Sequence, residues 1–139
     1  MRPTLWCAAV LAAVSIVGGC GSSDDDVRET VNKYFTALAD RDVRTACSLV
    51  SPVFREELAN WAKTAHPDLC SRDCEVIARR IAQVNDDRLV GLQRDVSVNS
   101  VEIDGDTAKA ALGAGQVATL RRVDGDWLVE RLDFRGATS

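Results

Sequence analysis

No stretch of this chain is apolar for long enough to span a bilayer. The longest predominantly apolar run, Leu5 to Val17, has 13 residues, and a helix of that length covers about 20 Å against a hydrocarbon core of roughly 30 Å. A permanent transmembrane anchor is not expected from it. Histidine is scarcer still. His66 is the only one, and with no serine or acid motif beside it, it reads as a solvated loop residue rather than a general base. A phosphate-cradling loop is missing as well: Gly113-Ala114-Gly115 lacks a third glycine and a following helix, so it reads as a turn. Positive charge is in deficit. Without residues 1–19, which carry Arg2, the chain keeps 16 basic and 21 acidic side chains, a formal charge of −5 over 120 residues. That balance, with nothing like a zinc finger or a basic helix, argues against a nucleic-acid partner, and the length suits one small domain.

What is there begins with the short apolar run itself. Arg2 precedes it, and it ends in Val17-Gly18-Gly19-Cys20 followed by Gly-Ser-Ser-Asp-Asp-Asp. Small residues running into a cysteine after a hydrophobic segment resemble the bacterial lipobox, which implies cleavage between Gly19 and Cys20 and acylation of Cys20. The expected organisation is a signal peptide over 1–19, a lipidated cysteine and flexible tether over 20–26, and one domain over 27–139. Two or three acyl chains anchor stably where one does not. The expected location is the extracytoplasmic face of the cell membrane, held there by lipid.

Beyond the tether, Asp26 and Glu29 have capping-box spacing, and Val27, Val31, Tyr34, Phe35 and Leu38 form one apolar stripe. The spacing predicts a helix ending near Ala39-Asp40-Arg41. Asp42 then caps a second helix with Val43, Ala46, Cys47 and Val50 inward. Ser51-Pro52 starts a third, Val53 to about Ala65, expected to bury Phe54, Leu58, Trp61 and Ala62. Asp73 caps a fourth, with Cys74, Ile77, Ala78 and Ile81 on one face, ending before Asn85; Leu89 to Leu92 reads as a short irregular or extended piece.

From Asp95 the period becomes two. Val96 and Val98 have the opposite parity to Val101 and Ile103, so a bulge near Asn99-Ser100 is needed to keep all four facing the core. Strands with Ala108, Ala110 and Leu112, then Gln116 to Val123, then Trp127 to Phe134 follow, joined at Asp104-Gly105, Ala114-Gly115 and Asp124-Gly125. The fold class expected is α+β: N-terminal helices packed on a bulged, four-stranded antiparallel sheet.

Helices first, then a bulged sheet closing with Val-Asp-Gly-Asp-Trp-Leu-Val, resemble the nuclear transport factor 2-like superfamily, whose domains are cone-shaped. The similarity covers Val27 to Val50, with the turn Ala39-Asp40-Arg41-Asp42, and the hairpin Ala118 to Val129. Within the superfamily the chain looks most like small actinobacterial lipoproteins of unknown function, a likeness in keeping with an excess of Arg over Lys. The resemblance implies a pocket in the cone, for which Tyr34, Trp61 and Trp127 are the candidates, and a sheet able to form a homodimer. The superfamily also holds ketosteroid isomerase and polyketide cyclases, so the fold alone does not assign function. Tyr34 falls near the oxyanion-stabilising tyrosine of ketosteroid isomerase. The base Asp and the protonated Asp that chemistry needs have no counterpart among the inward strand positions. A catalytic residue is therefore not expected, nor a cofactor. The expected function is non-enzymatic binding of a small apolar ligand or an envelope protein. The alternatives are an isomerase- or cyclase-like enzyme and a structural envelope module.

Outside the cytoplasm, thiols oxidise, so Cys47, Cys70 and Cys74 predict one disulfide and one leftover cysteine. Cys47 pairs with Cys74, or alternatively with Cys70. Such lipoproteins typically carry one cysteine on the second helix and another further on, places that Cys47 and Cys74 occupy. A bridge closing either loop stabilises by about 3 kcal/mol in the chain-entropy model. A zinc set of His66, Cys70, Cys74 and Cys47 is conceivable by spacing, but Pro67 breaks the helix that would stack them, no CxxC knuckle is present, and export favours oxidation. No metal is expected. Arg121, Arg122, Arg131 and Arg135 load the last two strands with positive charge, by default a solvated surface and otherwise a contact for anionic headgroups.

Overall fold

The computed structural model describes residues 23–84 and 96–134. Four helices, α1 (Ser23–Ala39), α2 (Val43–Ser48), α3 (Pro52–Ala65) and α4 (Cys74–Val84), precede strands β1 (Val98–Asp104), β2 (Thr107–Leu112), β3 (Gln116–Val123) and β4 (Asp126–Phe134). The strands pair as an antiparallel meander in the order β1-β2-β3-β4. The molecule is thus α+β, with its N-terminal helices packed on a four-stranded antiparallel sheet. Leu89 to Leu92 and Cys20 lie outside the described residues.

The apolar stripe of α1 lies across the sheet, where Val27 and Val31 are fully buried with Tyr34 and Phe35 behind them. Facing them are Ala108, Ala110 and Ala118, whose small side chains let the helix come close, and Leu120. Burying each such valine contributes about 1.5–3 kcal/mol. A second cluster joins α3 to α4 through Ala59, Ala62 and Ile77.

The helix ends follow the capping chemistry expected of them, except the first. The Asp42 carboxylate accepts from the Thr45 amide at 3.1 Å, the Ser51 hydroxyl from Phe54 at 3.2 Å, and Asp73 from Glu75 and Val76 at 2.9 and 3.1 Å. By contrast, α1 begins at Ser23, so Asp24, Asp25 and Asp26 form its first turn. Residues 23–26, expected as part of a flexible tether, are helical instead, because three carboxylates at the positive end of the helix dipole favour helix over extended chain. Arg28 reinforces that turn with a 2.7 Å ion pair to Asp24 and a 2.8 Å hydrogen bond to the Val98 carbonyl.

The bulge expected near Asn99-Ser100 is present between Val98 and Ser100. Val96, Val98 and Val101 pack against the core, but Ile103 is 40% exposed, since it lies at the end of an edge strand. A second bulge takes Glu130 out of the cross-strand register, because Thr119 pairs with Arg131 and Leu120 with Val129. At the β3–β4 hairpin, Asp124 and Gly125 both take positive φ, 52° and 87°, the combination a two-residue turn of the strands' own twist requires. The free edge of β4 is partly covered by Leu49–Ser51: the Val129 amide donates to the Leu49 carbonyl and the Ser51 amide to the Val129 carbonyl, each at 2.8 Å.

Candidate functional site

The C-terminal half of α1, together with α2, α3 and α4, leaves a gap at the end of the sheet where β3 begins and β4 ends. The gap is a cavity of about 640 Å³. Its lining is mainly apolar: Phe35, Leu38, Phe54, Leu58, Ile81 and Leu132 supply most of the larger side chains. Tyr34, Arg41 and Gln116 bring polar atoms to it, and among the described residues no carboxylate or imidazole lines it.

Tyr34 is only 5% exposed and stands edge-on to Phe35 and Phe54, with ring centroids 5.4 and 6.4 Å away. Burial among rings penalises the phenolate and pushes the phenol well above its usual range near 10. The group therefore stays neutral at any physiological pH, a hydroxyl on an aromatic wall. Edge-to-face packing of this kind fixes ring orientation and adds roughly 0.5–1.5 kcal/mol per pair beyond area burial.

The opposite wall is covalent. Cys47 on α2 and Cys74 at the first position of α4 are joined by a disulfide, with Cα atoms 5.9 Å apart, and both residues line the cavity. The pairing is the one expected first. Cys70 is free and exposed, beside a smaller hollow that also touches Lys63 and His66. With two of its four members oxidised, the conceivable zinc set cannot form, and no cluster able to hold a metal ion exists among the described residues.

Of the three pocket candidates, the structure brings together two. Tyr34 and Trp61 both line the cavity. Trp61 is not buried as expected: it is 48% exposed, its indole edge-on to the His66 ring at 5.5 Å, at the rim. The face of α3 that packs inward is rotated toward Ala59 and Ala62, because these small residues let α4 approach. Trp127 is not part of the site. It is buried at the other end of the sheet, where the Arg122 guanidinium stacks on it at 4.6 Å and also donates to the Ser23 hydroxyl at 3.1 Å. By register Trp127 pairs with Arg122, at the opposite end of the sheet from Gln116 and Leu132, which line the cavity.

The arginines of the last two strands are engaged locally. Arg121 pairs with Glu130 at 2.7 Å, Arg131 lies 3.8 Å from Glu57, and Arg122 turns toward Trp127. That leaves little of a continuous cationic face on them. Arg135, Gly19 and Cys20 lie outside the described residues. What the sequence did not single out is Phe35, Leu38 and Leu58 as a cavity wall, because apolar residues at helical spacing carry the same pattern whether they meet another side chain or a cavity.

No family model, no curated protein and no solved structure matches the chain.

Proposed function

We propose that this chain is a lipid-anchored, extracytoplasmic, non-enzymatic binding module of the nuclear transport factor 2-like kind, taking a small apolar ligand in the cavity beside Tyr34. The observation that carries this reading is the cavity itself: about 640 Å³, within the roughly 300–1,000 Å³ of small-molecule sites, apolar over most of its wall with a few polar atoms at its margin. Burial of apolar surface supplies the affinity, and the Tyr34 hydroxyl, Gln116 and Arg41 orient the ligand. General acid–base chemistry needs a titratable group within hydrogen-bond reach of the substrate. The lining supports binding over an isomerase or cyclase reaction, since its one phenol is held neutral and, among the described residues, no carboxylate accompanies it.

The anchor rests on Val17-Gly18-Gly19-Cys20 after a short apolar run. Cys20→Ser is expected to abolish acylation and detergent-phase partitioning; unchanged partitioning contradicts the anchor. For the ligand, the protein extracted from its native membrane and examined by mass spectrometry is expected to release one apolar compound per chain. A bare chain contradicts the binding reading.

A second reading has one observation in its favour. Among the described residues the helices pack on one face of the sheet, and the other face carries half-buried Ala111, Val117, Thr119 and Leu128. A homodimer would bury that face. Sedimentation at micromolar concentration separates dimer from monomer.

A further inference from the structure

Helix α1 starts only three residues after Cys20, with Gly21 and Ser22 between. Three Cα steps of ~3.8 Å allow a leash of at most about 11 Å. The first turn of α1 is itself fixed to the sheet, since Arg122 holds the Ser23 hydroxyl while stacking on Trp127, and Arg28 bonds Asp24 and the Val98 carbonyl. Little slack can be gained by unwinding the helix. The end of the body that carries α1's N-terminus is therefore the end that an acyl anchor keeps at the headgroups.

The same end holds both hairpin turns, Asp104 to Thr107 and Val123 to Asp126, tied together by the Arg122 amide donating to the Asp106 carbonyl at 2.7 Å. The cavity is at the other end. Its lining takes Tyr34, Phe35, Ala37 and Leu38 from α1, Arg41 from just beyond it, Gln116 from the start of β3 and Leu132 from near the end of β4. Along α1, Ser23 and Tyr34, the first of its residues to line the cavity, are about 16 Å apart at 1.5 Å per residue.

Resting on the anchor reading above, we infer that the lipidated protein stands on the end formed by α1's first turn and the two Asp-Gly hairpins, with its cavity held at the far end, facing away from the bilayer that carries it. Asp25, Asp26, Asp104, Asp106, Asp124 and Asp126 are exposed at the membrane end. These carboxylates do not adhere to phospholipid. They keep that end hydrated, while a leash about as long as the Debye length of ~8 Å prevents it from moving off. Tether length, not adhesion, sets the orientation. The ligand accordingly enters from the aqueous side, delivered by a carrier or taken from a facing surface, and not by lateral diffusion out of the anchoring leaflet.

The test uses the full acylated protein in phosphatidylcholine vesicles that contain a headgroup-nitroxide lipid. In a Cys70→Ser background, one fluorophore is placed at Asp104→Cys on the hairpin and, in a separate protein, at Arg44→Cys on α2 beside the cavity. The expected result is strong quenching at position 104 and several-fold weaker quenching at 44, a difference that disappears when a long Gly-Ser insert is placed between Ser22 and Ser23. Acylated, vesicle-bound protein with equal quenching at both positions, or with the order reversed, overturns the inference alone. Protein that carries no acyl mass and does not float with the vesicles overturns the anchor reading and the inference together.

Discussion

Cys47 and Cys74 stand on two different helices and face the same cavity, so the disulfide between them is at once a cross-link of α2 to α4 and a piece of the cavity wall. The bridge joins residues 27 apart in sequence, and the chain-entropy model assigns such a loop about 3.5 kcal/mol. Cys47→Ala with Cys74→Ala is expected to lower the melting temperature by 10 °C or more, at about 4–8 °C per kcal/mol for a domain of this size. Reduction of the wild type with a strong dithiol should reproduce the shift. Equal melting of oxidised and reduced protein would show that the helices are held without it.

The stack of Arg122 on Trp127 makes a separate prediction at the opposite end. Arg122→Gln removes a partly buried cation–π contact and the hydrogen bond to Ser23, a loss of about 1–2 kcal/mol. Amide exchange should locate it: faster exchange in α1's first turn and at the β3–β4 hairpin, with little change in α4. Uniform acceleration over the whole domain would instead indicate a global role.

Tyr34 is the only tyrosine in the chain, so tyrosinate absorbance reports on it alone. In the unfolded chain its phenol ionises near 10, whereas in the folded protein burial holds it protonated well above that. The folded state then binds the proton more tightly. Its contribution to stability is complete below pH 10 and declines as pH rises from there toward the folded value. Alkaline titration should show no tyrosinate until the protein unfolds. An ordinary titration curve centred near 10 in folded protein would contradict the buried wall.

Ser51 joins two elements through one buried residue: its hydroxyl caps α3, its amide bonds the edge of β4, and the residue is 1% exposed. Ser51→Ala is expected to cost about 1 kcal/mol, the usual value of an N-cap. Ser51→Pro, which also deletes the amide, should cost distinctly more. Chemical denaturation midpoints of the two variants measure the difference.

Much of this architecture is legible in the sequence because each device has its own pattern. The stripe from Val27 to Leu38 needs a 3.6 period, and the parity change between Val98 and Val101 demands the first bulge. The same logic, applied to Trp127 and Val129 against Leu132, would have disclosed the second bulge at Glu130. The start of α1 was harder. Three aspartates serve equally as a solvated tether or a helix's first turn, and the tertiary grip of Arg122 on Ser23 favours the turn, a contact across 99 residues that local reading cannot see. The cavity is the least legible feature. Trp61 and Trp127 are both large and apolar, and only packing decides that one rims the cavity while the other lies under α1's N-terminus.

The binding claim is tested most directly by titrating the folded protein with an environment-sensitive apolar probe such as N-phenyl-1-naphthylamine, beside an Ala78→Trp variant. Ala78 lines the cavity from α4, and an indole there takes up the volume a ligand would use. A saturable, blue-shifted signal of one probe per chain is expected, one that the substitution abolishes while Tyr34 stays shielded from alkaline ionisation. No probe uptake by the wild type, or equal uptake by a folded Ala78→Trp variant, would contradict the binding claim.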